Sequence, residues 1–342
     1  MDKIRIGMMG FGRVGRQIYR LAQLDDRFDI VAVSDIGQPQ ILHHLLTKGM
    51  SRMVDVRLEG SHLVSPKGRT RMLSADRPME VPWDVFDVDV VIDVTGKFRS
   101  SPDLAPHLDS GAPRVISSVL PDNGSIDRVV IVGVNEEQAS PDDRIVSAGS
   151  ASTAAAALAL KTITDAYPIE HASITSVHEF TSDQVLEDYA GPDYRRSRSG
   201  ARNIIPNTTP ALTWVPKVLP AVADKISGYA MNVPVQTGSM LDLTVRFEDT
   251  GVEVDAVNAL FEAAAKAKPN IIAVTWDPIV SSDVRGEPHS LLVDLEATLK
   301  SGSRLMKVIG WHESLGHAAR ILDLVALYAR LDGARSKRKE AS

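Results

Sequence analysis

Residues 4–9 (Ile-Arg-Ile-Gly-Met-Met) form an apolar run that ends at Gly10-Phe11-Gly12-Arg13-Val14-Gly15, and a helical pattern continues over about 13–24. A second alternating apolar segment, Phe28 to Ser34, is closed by Asp35. This order constrains the fold more than any other feature. Two parallel strands joined through a helix imply a sheet with helices laid over it. The glycines let the backbone approach a pyrophosphate, whose charge is favoured at a helix N-terminus. Asp35 lies about twenty residues beyond Gly15, the spacing at which a carboxylate reaches the adenosine ribose hydroxyls. It would repel a 2′-phosphate, and Ile36-Gly37 offers no arginine to hold one, so NAD is expected rather than NADP. A glycine turn followed by a capping aspartate is the bland alternative, and the combined context speaks against it.

Further strand candidates cover residues 88–94, 114–118, 129–132 and 144–147, separated by helical or polar segments. That alternation predicts an α/β fold: a Rossmann dinucleotide-binding domain over 1–150, with a mostly parallel sheet and helices on both faces. After Gly149 the character changes. Residues 151–166 are alanine-rich and helical in composition. Longer β-branched runs follow at 172–180, 225–232 and 240–248, with an amphipathic helix at 254–266 and strands at 291–299 and 306–311. These predict a second, α+β domain over 151–314 with a mainly antiparallel sheet. A last helix, 315–333, is expected to pack back on the first domain. Residues 334–342 then form a short basic tail, read as a solvated end rather than a docking segment.

The net charge of −6 argues against a broad nucleic-acid-binding surface. The chain contains no cysteine, which excludes a disulfide framework and a thiolate zinc site; no metal site is expected. Met1-Asp2-Lys3 leads into the first strand without an apolar signal core, and no apolar run is long enough to span a bilayer. A cytoplasmic protein without membrane partners is the expectation.

Several blocks carry a family resemblance. They are the opening motif over residues 6–16, Asp93-Val94-Thr95-Gly96-Lys97-Phe98, Gly133-Val134-Asn135, Asn203-Ile204-Ile205-Pro206-Asn207-Thr208-Thr209, Leu241-Asp242-Leu243-Thr244-Val245, and residues 280–290. Together they resemble glyceraldehyde-3-phosphate dehydrogenase and its relative erythrose-4-phosphate dehydrogenase over nearly the whole chain. The stretch 183–189 leans toward the second branch, and Met9 stands where the family usually has asparagine. The resemblance implies NAD contacts from Gly10, Phe11, Gly12, Arg13, Val14, Gly15, Asp35, Thr95, Gly96, Ser118 and Ser314. It also implies a homo-oligomer, a tetramer as in the family.

The resemblance breaks where the chemistry should be. In the family the second-domain helix opens S-C-T-T-N; here it reads Ser150-Ala151-Ser152-Thr153-Ala154. A methyl group cannot attack a carbonyl, so covalent thioester chemistry is unavailable. His178 matches the histidine that activates the family's thiol, and the base therefore persists without its nucleophile. A lone histidine is more often structural, and both roles stand for His178. The family's arginine for substrate phosphate falls on Asn232, its T-x-T pair on Thr181 and Asp183, and its nicotinamide-orienting asparagine on Ser314. Ser150, Ser152, Thr209 and one of Arg195, Arg196 or Arg198 match the region that holds inorganic phosphate. Surface ion pairing is an equal alternative for those arginines.

Two functions follow. One is NAD-dependent hydride transfer on a non-covalently bound substrate, with His178 as acid–base group. The other is a catalytically silent NAD-binding pseudoenzyme acting through binding or assembly. Replacement of the thiol by Ser150 or Ser152 is a weaker third, because an unactivated alcohol is a poor nucleophile at neutral pH.

Overall fold

The computed structural model describes residues 3–48, 55–122, 125–181 and 184–340, with 335–340 described by backbone alone; Asp183 and the first two residues lie outside the described set. The chain divides into two compact units, one of Met1–Val132, Glu136–Gly149 and Ala318–Ser342, the other of Gly133–Asn135 and Ser150–His317.

In the first unit, β1 (Ile4–Met9) leads through α1 (Arg13–Gln23) to β2 (Phe28–Ser34), which pairs with β1 in parallel. After α2 (Pro39–Lys48) come three short strands, β3 (Arg57–Glu59), β4 (His62–Ser65) and β5 (Gly68–Leu73). Then follow β6 (Val90–Asp93), α3 (Ser101–Asp109), β7 (Val115–Ser117), β8 (Arg128–Val129) and β9 (Ile145–Ser147). Among the described residues they make one sheet in the order β3-β4-β5-β2-β1-β6-β7-β9-β8. β4 pairs antiparallel with both neighbours, so the parallel sheet carries an antiparallel edge that the sequence pattern does not announce. The expected strand at 129–132 is shorter than its apolar run.

β1 is central, and its alternation feeds two cores, as a strand covered on both faces requires. Ile6 and Met8 join α1 residues Ile18 and Tyr19 in one cluster; Met9 joins Val91 and Trp83 in another. The first cluster also contains Ala318, Ile321, Leu324, Val325 and Tyr328. They belong to α7 (Ser314–Glu340), a helix that continues through most of the stretch read from sequence as a tail.

The second unit begins with α4 (Ala151–Thr164), buried nearly all round, with Ala154 to Leu160 in its core. Further helices are α5 (Ala211–Val218) and α6 (Val254–Ala267). The strands are β10 (Ile169–His178), β11 (Ile205–Asn207), β12 (Ile226–Asn232), β13 (Ser239–Phe247), β14 (Ile272–Thr275), β15 (Leu291–Ser301) and β16 (Leu305–His312). Their order is β11-β12-β10-β13-β16-β15-β14. β13 shows the pattern of a sheet covered on one face: Leu241, Leu243, Val245 and Phe247 are buried, while Asp242, Thr244 and Arg246 alternate outward. The sheet is mixed. Among the described residues four pairings are antiparallel, but β10 runs parallel to β12 and β14 parallel to β15. The β10·β12 register sets His178 beside Asn232.

Candidate functional site

In the first unit the glycine turn has the geometry a dinucleotide needs. Gly10 has φ +96°, and a Cβ there would lie 2.8 Å from the Val94 carbonyl group and 2.9 Å from Thr95 N. A Cβ on Gly15 would meet the Gly10 carbonyl oxygen at 2.6 Å, which is how closely α1 approaches the strand end. Gly12 is different: among the described residues nothing lies within 4 Å of its missing Cβ. It stands at the N-cap of α1 and, having no side chain, offers no cap of its own, so the backbone there is open to the approach of a ligand. Phe11 is buried, its ring 5.7 Å from that of Tyr19, and its backbone is engaged as well, the N–H on Asp35 and the carbonyl on Arg16 Nη1 at 2.8 Å. Arg13 is exposed and Val14 half-buried.

Asp35 holds the turn as well as facing it. One carboxylate oxygen accepts the Phe11 N–H at 2.6 Å and the other the Gly37 N–H at 2.8 Å. A cavity of about 270 Å³ opens here, lined among others by Gly10, Gly12, Ser34, Asp35, Thr95 and Lys97. Gly96 has φ +72°, and among the described residues nothing lies within 4 Å of where its Cβ would be. Ser118 is buried and donates its N–H to the Asp93 carbonyl at 2.9 Å, at the carboxyl end of the neighbouring strand. The open helix terminus, the uncapped Gly12 and the carboxylate at the cavity wall fit a dinucleotide.

The second unit gathers the remaining candidates. Ser150 caps α4, its hydroxyl accepting the Thr153 N–H at 3.2 Å and lying 2.8 Å from the Thr153 hydroxyl. Ser152 lies 3.4 Å away, Oγ to Oγ. Ala151, the first helical residue, is half-buried. His178 Nε2 is 3.2 Å from Ser176 Oγ, and its ring meets that of His312 edge-on at 6.0 Å. Nothing in the sequence singles out His312, because it sits two strands away from His178. It is 2% exposed, and no hydrogen-bond partner reaches its Nε2 among the described residues. Burial first, then the neighbouring His178 and His317, push its pKa down to about 3. It is an uncharged ring at neutral pH.

The anion-side candidates do not all converge. Asn232 is buried, and its side-chain oxygen accepts from Asn207 Nδ2 at 3.2 Å. Asn207 Oδ1 in turn accepts from Arg196 Nε at 3.3 Å. Of the three arginines it is therefore Arg196 that the fold brings to Asn232. Arg198 is ion-paired with Asp188 at 2.8 Å, and Arg195 is exposed. Thr209 is buried, with its hydroxyl accepting the Ala211 N–H at 3.2 Å at the start of α5. Thr181 donates its N–H to Gln184 Oε1 at 3.0 Å. Ser314 opens α7, and its Oγ is buried without a hydrogen-bond partner among the described residues.

Comparison with known proteins decides the family. Residues 4–101 match the family described as glyceraldehyde 3-phosphate dehydrogenase, NAD binding domain, and residues 150–314 match glyceraldehyde 3-phosphate dehydrogenase, C-terminal domain. The chain belongs to the glyceraldehyde-3-phosphate dehydrogenase family. A glyceraldehyde-3-phosphate dehydrogenase from Priestia megaterium (strain DSM 319 / IMG 1521) is 34% identical over 332 residues, spanning 95% of this chain and 98% of that protein. One from Mycobacterium avium is 36% identical over 339 residues, 96% of this chain and 99% of its own length. One from Geobacillus stearothermophilus is 34% identical over 333 residues, 95% and 98% respectively. The first unit thus carries the NAD-binding domain of this oxidoreductase family, with NAD as its cofactor. Among the described residues no helix is long and apolar enough to cross a membrane.

Proposed function

We propose that this family member binds NAD but does not carry out phosphorylating aldehyde oxidation through a covalent thioester. The observation that carries the reading is Ala151 as the first residue of α4, in a chain with no cysteine at all. A helix N-terminus lowers the pKa of a thiol placed there and so activates it. A methyl group gains nothing from that field. The flanking hydroxyls are poor substitutes: Ser150 is engaged as the helix cap, and Ser152 lies among buried neighbours. NAD, when bound, supplies the hydride-accepting or hydride-donating chemistry. His178 is left to hold or move a proton at its imidazole for a substrate bound without a covalent link.

A second reading is favoured by Asn232. Its side-chain oxygen accepts from Asn207, which in turn accepts from Arg196, so an uncharged amide stands where the family resemblance puts the arginine for substrate phosphate. With Ala151, Asn232 and Ser314 all changed and the nucleotide turn intact, a silent NAD-binding protein that acts by assembly is the alternative. The remaining hydroxyls of Ser150, Ser152 and Thr209, with Arg196, are proposed to accept an anion. A homotetramer, on the family resemblance, and a cytoplasmic location, on the sequence expectation, complete the proposal.

The test is NADH formation at 340 nm with glyceraldehyde 3-phosphate and erythrose 4-phosphate, with and without inorganic phosphate. We expect no turnover with either. A rate of about 10 s⁻¹, ordinary for an enzyme, would overturn the reading and make Ser150 and Ser152 the next residues to mutate.

A further inference from the structure

Asp93 ends β6 with no exposed surface, and His107 on α3 is equally buried. Trp83, also fully buried, donates its indole N–H to His107 Nδ1 at 3.0 Å. The ring proton therefore sits on Nε2, which donates to one oxygen of Asp93 at 3.2 Å. The other oxygen accepts the Thr95 hydroxyl at 2.8 Å and the Thr95 N–H at 3.1 Å. Having donated its proton to Asp93, that hydroxyl accepts the Lys97 N–H at 3.1 Å. Every bond in the chain has a defined donor, and the chain ends on the turn that walls the nucleotide cavity.

The same turn presses on the first glycine of the fingerprint, where the Val94 carbonyl and Thr95 N leave no room for a Cβ on Gly10. Trp83 packs on the strand leading to it: a Cβ on Gly7 would touch the indole ring at 2.6 Å. Burying a carboxylate and an imidazole is costly unless each is fully hydrogen-bonded, and an apolar trio would fill this space without that cost. The polar chain achieves what apolar packing does not: it fixes the direction of the Thr95 and Lys97 N–H groups.

We propose that Trp83, His107 and Asp93 are positioning residues for NAD, locking the 95–97 turn against Gly10 so that one wall of the cavity is held ready for the cofactor. The proposal rests on the NAD reading of that cavity. It places these residues behind the cavity wall, where they act through Thr95 and Lys97.

The test uses the full chain as wild type, His107→Leu, His107→Gln, Trp83→Phe and, as a stability control within the same unit, Tyr328→Phe. NAD is titrated calorimetrically, thermal midpoints are measured, and hydrogen exchange of the Thr95 and Lys97 amides is followed without NAD. His107→Leu should raise the NAD Kd about tenfold, the loss expected when a buried charge-assisted hydrogen bond is removed. His107→Gln, which keeps a donor and an acceptor, should stay within about threefold of wild type. Trp83→Phe should speed exchange at Thr95 and Lys97, and Tyr328→Phe should lower the thermal midpoint without changing the Kd. If His107→Leu does not fold, Trp83→Phe decides through amide exchange. Unchanged Kd in His107→Leu, unchanged exchange in Trp83→Phe, or an equal loss of affinity in Tyr328→Phe would overturn the proposal. A wild-type chain that fails to bind NAD would instead sink the cofactor reading itself.

Discussion

His312 shows how one buried side chain ties stability to pH. Unfolded, it takes up a proton near 6.5; folded, burial and the neighbouring His178 and His317 hold its pKa to about 3. Between those values the unfolded state binds more protons, so stability is full above about pH 6.5 and declines as pH falls. The decline from this group approaches about 1.4 kcal/mol per pH unit. His312→Phe removes the titration together with a ring nitrogen that has no hydrogen-bond partner among the described residues. Urea unfolding of the two proteins between pH 7 and pH 4 should show a steeper acid loss in wild type. Parallel curves would mean that His312 ionises normally in the folded protein.

At the scale of elements, α7 completes the core of the first unit, and Tyr328 anchors it. Its hydroxyl donates to Asp143 at 2.8 Å, alongside Arg128 Nε at 2.8 Å and the Ser140 N–H at 2.8 Å. Burial alone would raise the Asp143 pKa, but these three donors outweigh it and hold the carboxyl below its ordinary value. The Arg114 guanidinium lies 4.4 Å from the centre of the Tyr328 ring. Tyr328→Phe should therefore cost about 1.5–3 kcal/mol, the range for a hydrogen bond to a charged group. Calorimetric unfolding would show it, and a loss under about 0.5 kcal/mol, the size of an ordinary surface change, would mean the bond is replaced by water.

Elements with strong periodicity are readable: β1, α1, β2, α4 and β13 lie where the apolar pattern places them, while α7 starts where expected but runs on to Glu340. The edge strands β3, β4 and β5 were not, because Arg57, Glu59, Arg69 and Arg71 interrupt any apolar alternation. α5 escaped for another reason. Pro216 lies inside it, and a proline within a short apolar run reads as a break. The parallel β10·β12 pairing depends on which distant strands meet, and no local pattern encodes that.

For the whole molecule, legibility follows what each unit must do. The nucleotide turn is made of neighbours in sequence, so Gly10 to Gly15 and Asp35 could be read together. The second unit's candidates lie on α4, β10, β11, β12 and β16, far apart in sequence; sequence names His178, Asn232 and Arg196 as one of three arginines, but not the Asn207 link between the last two or His312. That division shapes the outcome expected for Ala151→Cys. A thiol at the first position of α4 should have a lowered pKa and alkylate with iodoacetamide faster than free cysteine at pH 7. If a missing nucleophile were the sole defect, this one change would restore phosphorylating oxidation. On the proposal that Asn232 stands at the substrate-phosphate position and Ser314 at the nicotinamide position, substrate and cofactor each lose an interaction that positioning depends on. Turnover of glyceraldehyde 3-phosphate by the variant should stay below about 0.1 s⁻¹, a hundredth of a median enzyme rate. Fast alkylation with slow turnover would mean that departures beyond Ala151 also keep the site from this reaction. A variant turning over at about 10 s⁻¹ would show that the substrate pocket is intact and that the alanine alone silences it.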